Sequence, residues 1–81
     1  MQSWNKKLKC AFEAWRVLAE NEIALHLPPN NICDMRGALE IAKSIMPAVT
    51  RIVVYVAEVP DVEYRSSANG WKAYDWRWKA L

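Results

Sequence analysis

The sequence predicts an α+β domain in the order ααβββ, with two N-terminal helices packed on a three-stranded antiparallel sheet. Three observations point there. Apolar residues recur at helical spacing through the first half of the chain. A run that is apolar on both faces, Ile52 to Ala57, opens the second half. Turn-forming pairs, Pro60-Asp61 and Asn69-Gly70, then divide the remainder into strands.

The chain has 81 residues, which predicts a single domain spanning 1–81. It is 53% hydrophobic and 25% charged, the composition of a globular chain rather than a disordered one. A net charge of +2 excludes an acidic nucleic-acid mimic without demanding a nucleic-acid partner. No signal peptide is visible, and the longest apolar run is far shorter than a membrane span. A cytoplasmic protein without membrane association is therefore expected. Cys10 and Cys33 are too few for a disulfide framework and lack CxxC spacing. A free pair in a reducing cytosol is the default, and the sequence leaves their pairing open.

In chain order, Ser3 can cap a first helix running to about Leu25. Trp4, Leu8, Ala11, Phe12, Trp15, Leu18 and Ala19 form its apolar arc, with Glu22 as a misfit on that side. Pro28 and Pro29 break the helix into a loop that begins at His26. A second helix runs from Asn31 or Asp34 to Met46. It has Met35, Ala38, Leu39, Ala42, Ile45 and Met46 on one face, an Arg36–Glu40 pair, and Pro47 as its stop.

The first strand, Val49 to Val59, is apolar on both sides and so expected to be buried on both. A turn at Pro60-Asp61 sets Val59 opposite Val62. For the last hairpin, a two-residue Asn69-Gly70 loop places Glu63 opposite Trp76. A three-residue Ala68-Asn69-Gly70 loop with a bulge pairs Val62 with Trp76 and Tyr64 with Tyr74. The apolar pairs favour the second. Val53, Tyr55, Ala57, Val59, Val62, Tyr64, Tyr74, Trp76 and Trp78 then face the helices. Ile52, Val54, Val56, Arg65, Trp71 and Arg77 look outward. A two-residue loop reverses that division and puts the aromatics beside the cations of the hairpin.

Catalytic chemistry is not expected. The single histidine, His26, has no second histidine to share a metal and no paired nucleophile. With Gly37 and Gly70 as the only glycines, no phosphate-cradling glycine loop can form. No cofactor or metal is called for. The outward residues Ile52, Val54, Val56, Arg65, Trp71 and Arg77 suit a protein-binding surface, because interfaces favour Trp and Arg around an apolar centre. Size, tryptophan content and lack of catalytic residues are those of phage and mobile-element accessory proteins. An inhibitor of a host or defence complex, such as an anti-CRISPR, is the concrete expectation. Two alternatives stand beside it. One is a structural homodimer. The other is nucleic-acid binding through the Trp71–Lys79 segment, where aromatics and cations interleave.

Overall fold

A computed structural model describes residues 12–29 and 33–75. They form a five-stranded mixed sheet with one helix across one face. The elements are β1 (Ala14–Ala19), β2 (Glu22–Leu27), α1 (Met35–Ile45), β3 (Arg51–Val56), β4 (Val59–Ser67) and β5 (Gly70–Asp75). The spatial order is β1-β2-β3-β4-β5. Neighbours are antiparallel except β2 and β3, which run parallel, Leu25 opposite Val54. Parallel neighbours need a crossover. That crossover is α1, and it leaves the helix lying over β2 and β3.

The ααβββ expectation is therefore corrected to ββαβββ. Where the first helix was expected, residues 14–27 form a β-hairpin; residues 3–11 lie outside the described residues. Trp15, Leu18 and Ala19 satisfy a helical period, but Ile23, Leu25 and Leu27 alternate with Ala24 and His26 and satisfy a period of two. Pairing with the apolar β3 buries Ile23 and Leu25 completely, and that outweighs the helix preference of the Ala, Leu and Glu residues. The hairpin turns at Asn21, whose φ of 63° lies in the left-handed region that asparagine tolerates. The Asn21 carbonyl accepts from the Thr50 and Arg51 backbone N–H groups and from the Thr50 hydroxyl, which ties this turn to the start of β3.

The second expected helix is α1. Asp34 caps it, its Oδ1 accepting from the Gly37 N–H at 2.8 Å. Gly37, Ala38, Ile41 and Ala42 are its buried face. Small residues there let the helix lie close on Ile23, Leu25, Ile52, Val54 and Tyr64, which complete the core with Leu27, Cys33 and Val49. Each fully buried Ile, Leu or Val contributes about 1.5–3 kcal/mol. The buried Tyr64 hydroxyl donates to the Cys33 carbonyl at 3.3 Å. Cys33 is disulfide-bonded, so the expected free thiol does not hold there; the chain's other cysteine, Cys10, lies outside the described residues.

Both C-terminal turns differ from expectation. The β3–β4 turn is Ala57-Glu58, not Pro60-Asp61, with Val56 opposite Val59. Both residues have positive φ, 52° and 67°, the backbone of a type I′ turn. Pro60 instead sits in β4 opposite Tyr55, next to a register shift, a place where a strand tolerates proline. The β4–β5 loop is Ala68-Asn69, with Ser67 opposite Gly70. The Ser67 hydroxyl closes it, donating to the Gly70 carbonyl and accepting from the Asn69 N–H. Gly70, at φ 111°, starts β5 rather than filling a bulge. Glu63 therefore pairs with Tyr74 and Tyr64 with Ala73, not Tyr64 with Tyr74.

These registers reverse the expected faces of β3 and β5 and leave those of Val62, Glu63, Tyr64 and Arg65 in β4 as expected. Ile52, Val54, Val56, Val62 and Tyr64 lie towards the helix. Val53, Tyr55, Glu63, Arg65, Lys72 and Tyr74 lie on the opposite face.

Candidate nucleic-acid interface

The face of the sheet opposite α1 is crossed by every strand, and no described element packs over it. Its floor is small: Ala24 and Val53 are buried between longer neighbours. Alternation along each strand places the rest. Arg16, Ala24, Val53, Glu63 and Tyr74 form one row across the sheet. Glu22, Arg51, Arg65 and Lys72 form the next. Ala14, His26, Tyr55 and Pro60 form a third.

Two aromatic–cation groups stand on this floor. In the first, His26 and Tyr55 stack, ring centroids 4.8 Å apart and 17° from parallel. Arg16 reaches across from β1. Its Nε donates to His26 Nε2 at 3.1 Å, and its guanidinium carbon lies 5.4 Å from the Tyr55 ring centroid. Accepting at Nε2 requires that nitrogen to be unprotonated, so the neutral ring carries its proton on Nδ1, which lies 3.9 Å from Glu58. In the second group, the Arg65 guanidinium lies over the Tyr74 ring, 4.7 Å from its centroid. Tyr74 is 44% exposed.

Between them runs an ion-pair network on a buried carboxylate. Glu63 is 3% exposed. Its Oε2 accepts from Arg51 Nε at 2.6 Å and from Arg65 Nε, and Arg51 Nη1 reaches Glu22 at 2.9 Å. Burial alone pushes the Glu63 carboxyl up. The hydrogen bonds and charges of Arg51 and Arg65 outweigh it and hold the group below its ordinary value. The same contacts raise both arginines, each mainly through its bond to Glu63. The face thus holds fixed cations, and it is drier near Glu63 than at its rim.

The residues expected to bind a partner are divided by this arrangement. Ile52 and Val54 are 0% and 1% exposed beneath α1, so the aliphatic stripe is core. Val56 and Trp71 are half-buried and pack against the same core. Arg65 is exposed on the open face. Arg77 lies outside the described residues, as do Trp76 and Trp78. Sequence reasoning missed Arg16, His26, Tyr55 and Arg51 as members of this surface, while Lys72 and Tyr74 lie in the Trp71–Lys79 segment of its nucleic-acid alternative. A signal existed for two of the missed residues. His26 falls between Leu25 and Leu27, and Tyr55 between Val54 and Val56, so each points away from an apolar stripe.

One further surface is apolar. Trp15 and Val17, 47% and 56% exposed, stand two residues apart on the edge strand β1. No helix among the described residues is long and apolar enough to cross a membrane. No metal-holding cluster of His, Cys, Asp and Glu exists among them either. Comparison with known protein families, with curated proteins and with solved structures finds no match for this chain.

Proposed function

We propose that this domain binds single-stranded nucleic acid on the open face of its sheet. The observation that carries the reading is the pairing of an aromatic ring with an arginine at two separate places, the half-buried Tyr55 with Arg16 and the exposed Tyr74 with Arg65. Rings offer base-stacking surface without sequence preference, and arginines answer both base faces and phosphates. Tyr55 and Tyr74 are two strands and about two residues apart, roughly 12 Å at ordinary sheet spacings. Bases held in a duplex rise only about 3.4 Å per step. Two bases meeting these two rings must be splayed, which a single strand allows and a duplex resists.

The test is fluorescence anisotropy with labelled single strands, DNA and RNA in parallel, and the matching duplex. Single strands bind more tightly than the duplex, and affinity falls as salt rises. Base stacking contributes about 1–3 kcal/mol per base, so Tyr74→Leu and Tyr55→Leu each weaken binding about five- to 150-fold. No anisotropy change with either single strand at low salt removes the reading.

A second reading rests on β1. Trp15 and Val17 fit a protein contact, since an edge strand with large exposed apolar residues is a site for pairing with another chain. Light scattering of the wild type and of Val17→Lys separates it. A mass above the monomer that Val17→Lys restores to the monomer supports self-pairing, and a monomer in both rejects it.

A further inference from the structure

The cations on the open face are not scattered. Arg51, Arg65 and Lys72 are direct partners across three neighbouring strands, Arg51 opposite Arg65 and Arg65 opposite Lys72. Like charges set directly opposite destabilise a sheet unless something of the other sign lies between them. Two carboxylates serve this row: Glu22 at its β2 end, and Glu63 in the adjacent row, on β4 beside Arg65. Glu22 binds Arg51, and Glu63 binds Arg51 and Arg65. Lys72 makes no ion pair among the described residues. Three cations stand against these two anions, and the one without an ion pair among the described residues is Lys72, directly opposite Arg65.

Arg65 is held in a particular way. Its Nε is fixed by Glu63, and its guanidinium plane rests over Tyr74. Its terminal nitrogens make no hydrogen bond within the described residues. An arginine fixed at Nε presents the fork that matches two oxygens of a phosphate, while a lysine supplies a point charge beside it. From this juxtaposition we infer that Arg65 and Lys72 form a phosphate-binding site, with Glu63 holding Arg65 in place. The inference deepens the nucleic-acid reading and rests on it for the source of the phosphate, a backbone phosphodiester. Tyr74 then stacks a base next to that phosphate, on the ring face that Arg65 does not cover.

The experiment has two arms. In the first, the probe is pyrophosphate, titrated at millimolar concentration into the isotope-labelled protein. The Arg65 Nε–H and Lys72 amide resonances move in the wild type, and the response is lost in Lys72→Ala and Arg65→Gln. Glu63→Gln moves the Arg65 Nε–H resonance before any ligand is added, and this reports positioning rather than folding. In the second arm, oligonucleotide affinity is measured against salt. Each lost phosphate contact lowers the logarithmic salt slope by about 0.7 on a single strand, so Lys72→Ala and Arg65→Gln flatten it while Tyr74→Leu leaves it unchanged. Pyrophosphate that leaves both resonances unmoved overturns the site. So does an oligonucleotide salt slope that neither substitution changes, even though the nucleic-acid reading then survives. Movement of both resonances without oligonucleotide binding supports the site and removes the nucleic-acid reading.

Discussion

Replacing Glu63 tests the electrostatics of the open face at their most buried point. The carboxylate side chain is 4% exposed and takes two charge-assisted hydrogen bonds on one oxygen. Hydrogen bonds to charged groups contribute about 1.5–3 kcal/mol. The Arg51 bond merits the middle of that range, because both side chains are largely out of water. The Arg65 bond adds little, because that side chain is 53% exposed and solvent screens it. Glu63→Gln keeps a neutral acceptor and should cost about 2 kcal/mol. Glu63→Ala leaves Arg51 with Glu22 alone and should cost about 3–4 kcal/mol.

In a domain of this size 2 kcal/mol is a fall of about 8–16 °C in Tm, read by thermal melting. The pH dependence has a fixed sign. Because the folded value of Glu63 is depressed below 4.5, its contribution is present above that pH and is lost as pH falls through the folded value. The wild type therefore loses stability on acidification through this window, and Glu63→Gln shows a shallower loss. A Gln variant within 0.5 kcal/mol of wild type, or an acid slope identical in the two proteins, would refute the reasoning.

Three further outcomes follow from the fold. Ala57 and Glu58 hold left-handed backbone without glycine, so Glu58→Gly should stabilise by about 1 kcal/mol in urea unfolding; a loss would contradict the type I′ turn. Asp34→Ala removes the cap of α1 and should cost about 1 kcal/mol, while Asp34→Asn should cost little. Thiol titration of the unfolded, unreduced protein should find no free thiol at Cys33, and reductant should lower Tm, since losing a native disulfide from a small domain costs about 2–5 kcal/mol. A reactive Cys33 thiol in the native protein would restore the free-thiol default.

How much was legible depended on whether a local signal had a rival. The helix α1 was readable because Asp34, the apolar spacing from Met35 to Ile45 and Pro47 all agree. Its partner face was not, because that face is set by strand register. A turn at Pro60-Asp61 is good local chemistry. The chain instead turns at Ala57-Glu58, whose residue types carry no turn signal, and uses Pro60 beside a register shift. The register shift between Val54 and Tyr55, rather than the new position of the turn, sets Val54 opposite Val62 and Ile52 opposite Tyr64 and so moves both from surface to core.

The N-terminal hairpin was lost for a different reason. Ala14 to Leu27 satisfies two periods, and only contact with β3, distant in sequence, selects between them. Among the described residues, Arg65 was the one expected site residue exposed on the open face. Tyr74 was tied to the loop length: the sequence argument favoured three residues, and the loop has two. The Ser67 hydroxyl closing that loop is a side-chain contact that pairing energies do not reveal.

The most direct test of the account is an amide shift map of the labelled protein with a short single-stranded oligonucleotide. The open face should respond: Arg16, His26, Tyr55, Arg65, Lys72 and Tyr74 move together, while α1 from Met35 to Ile45 stays in place. Shifts confined to α1 or to the Trp15–Val17 edge, with that face silent, would contradict it.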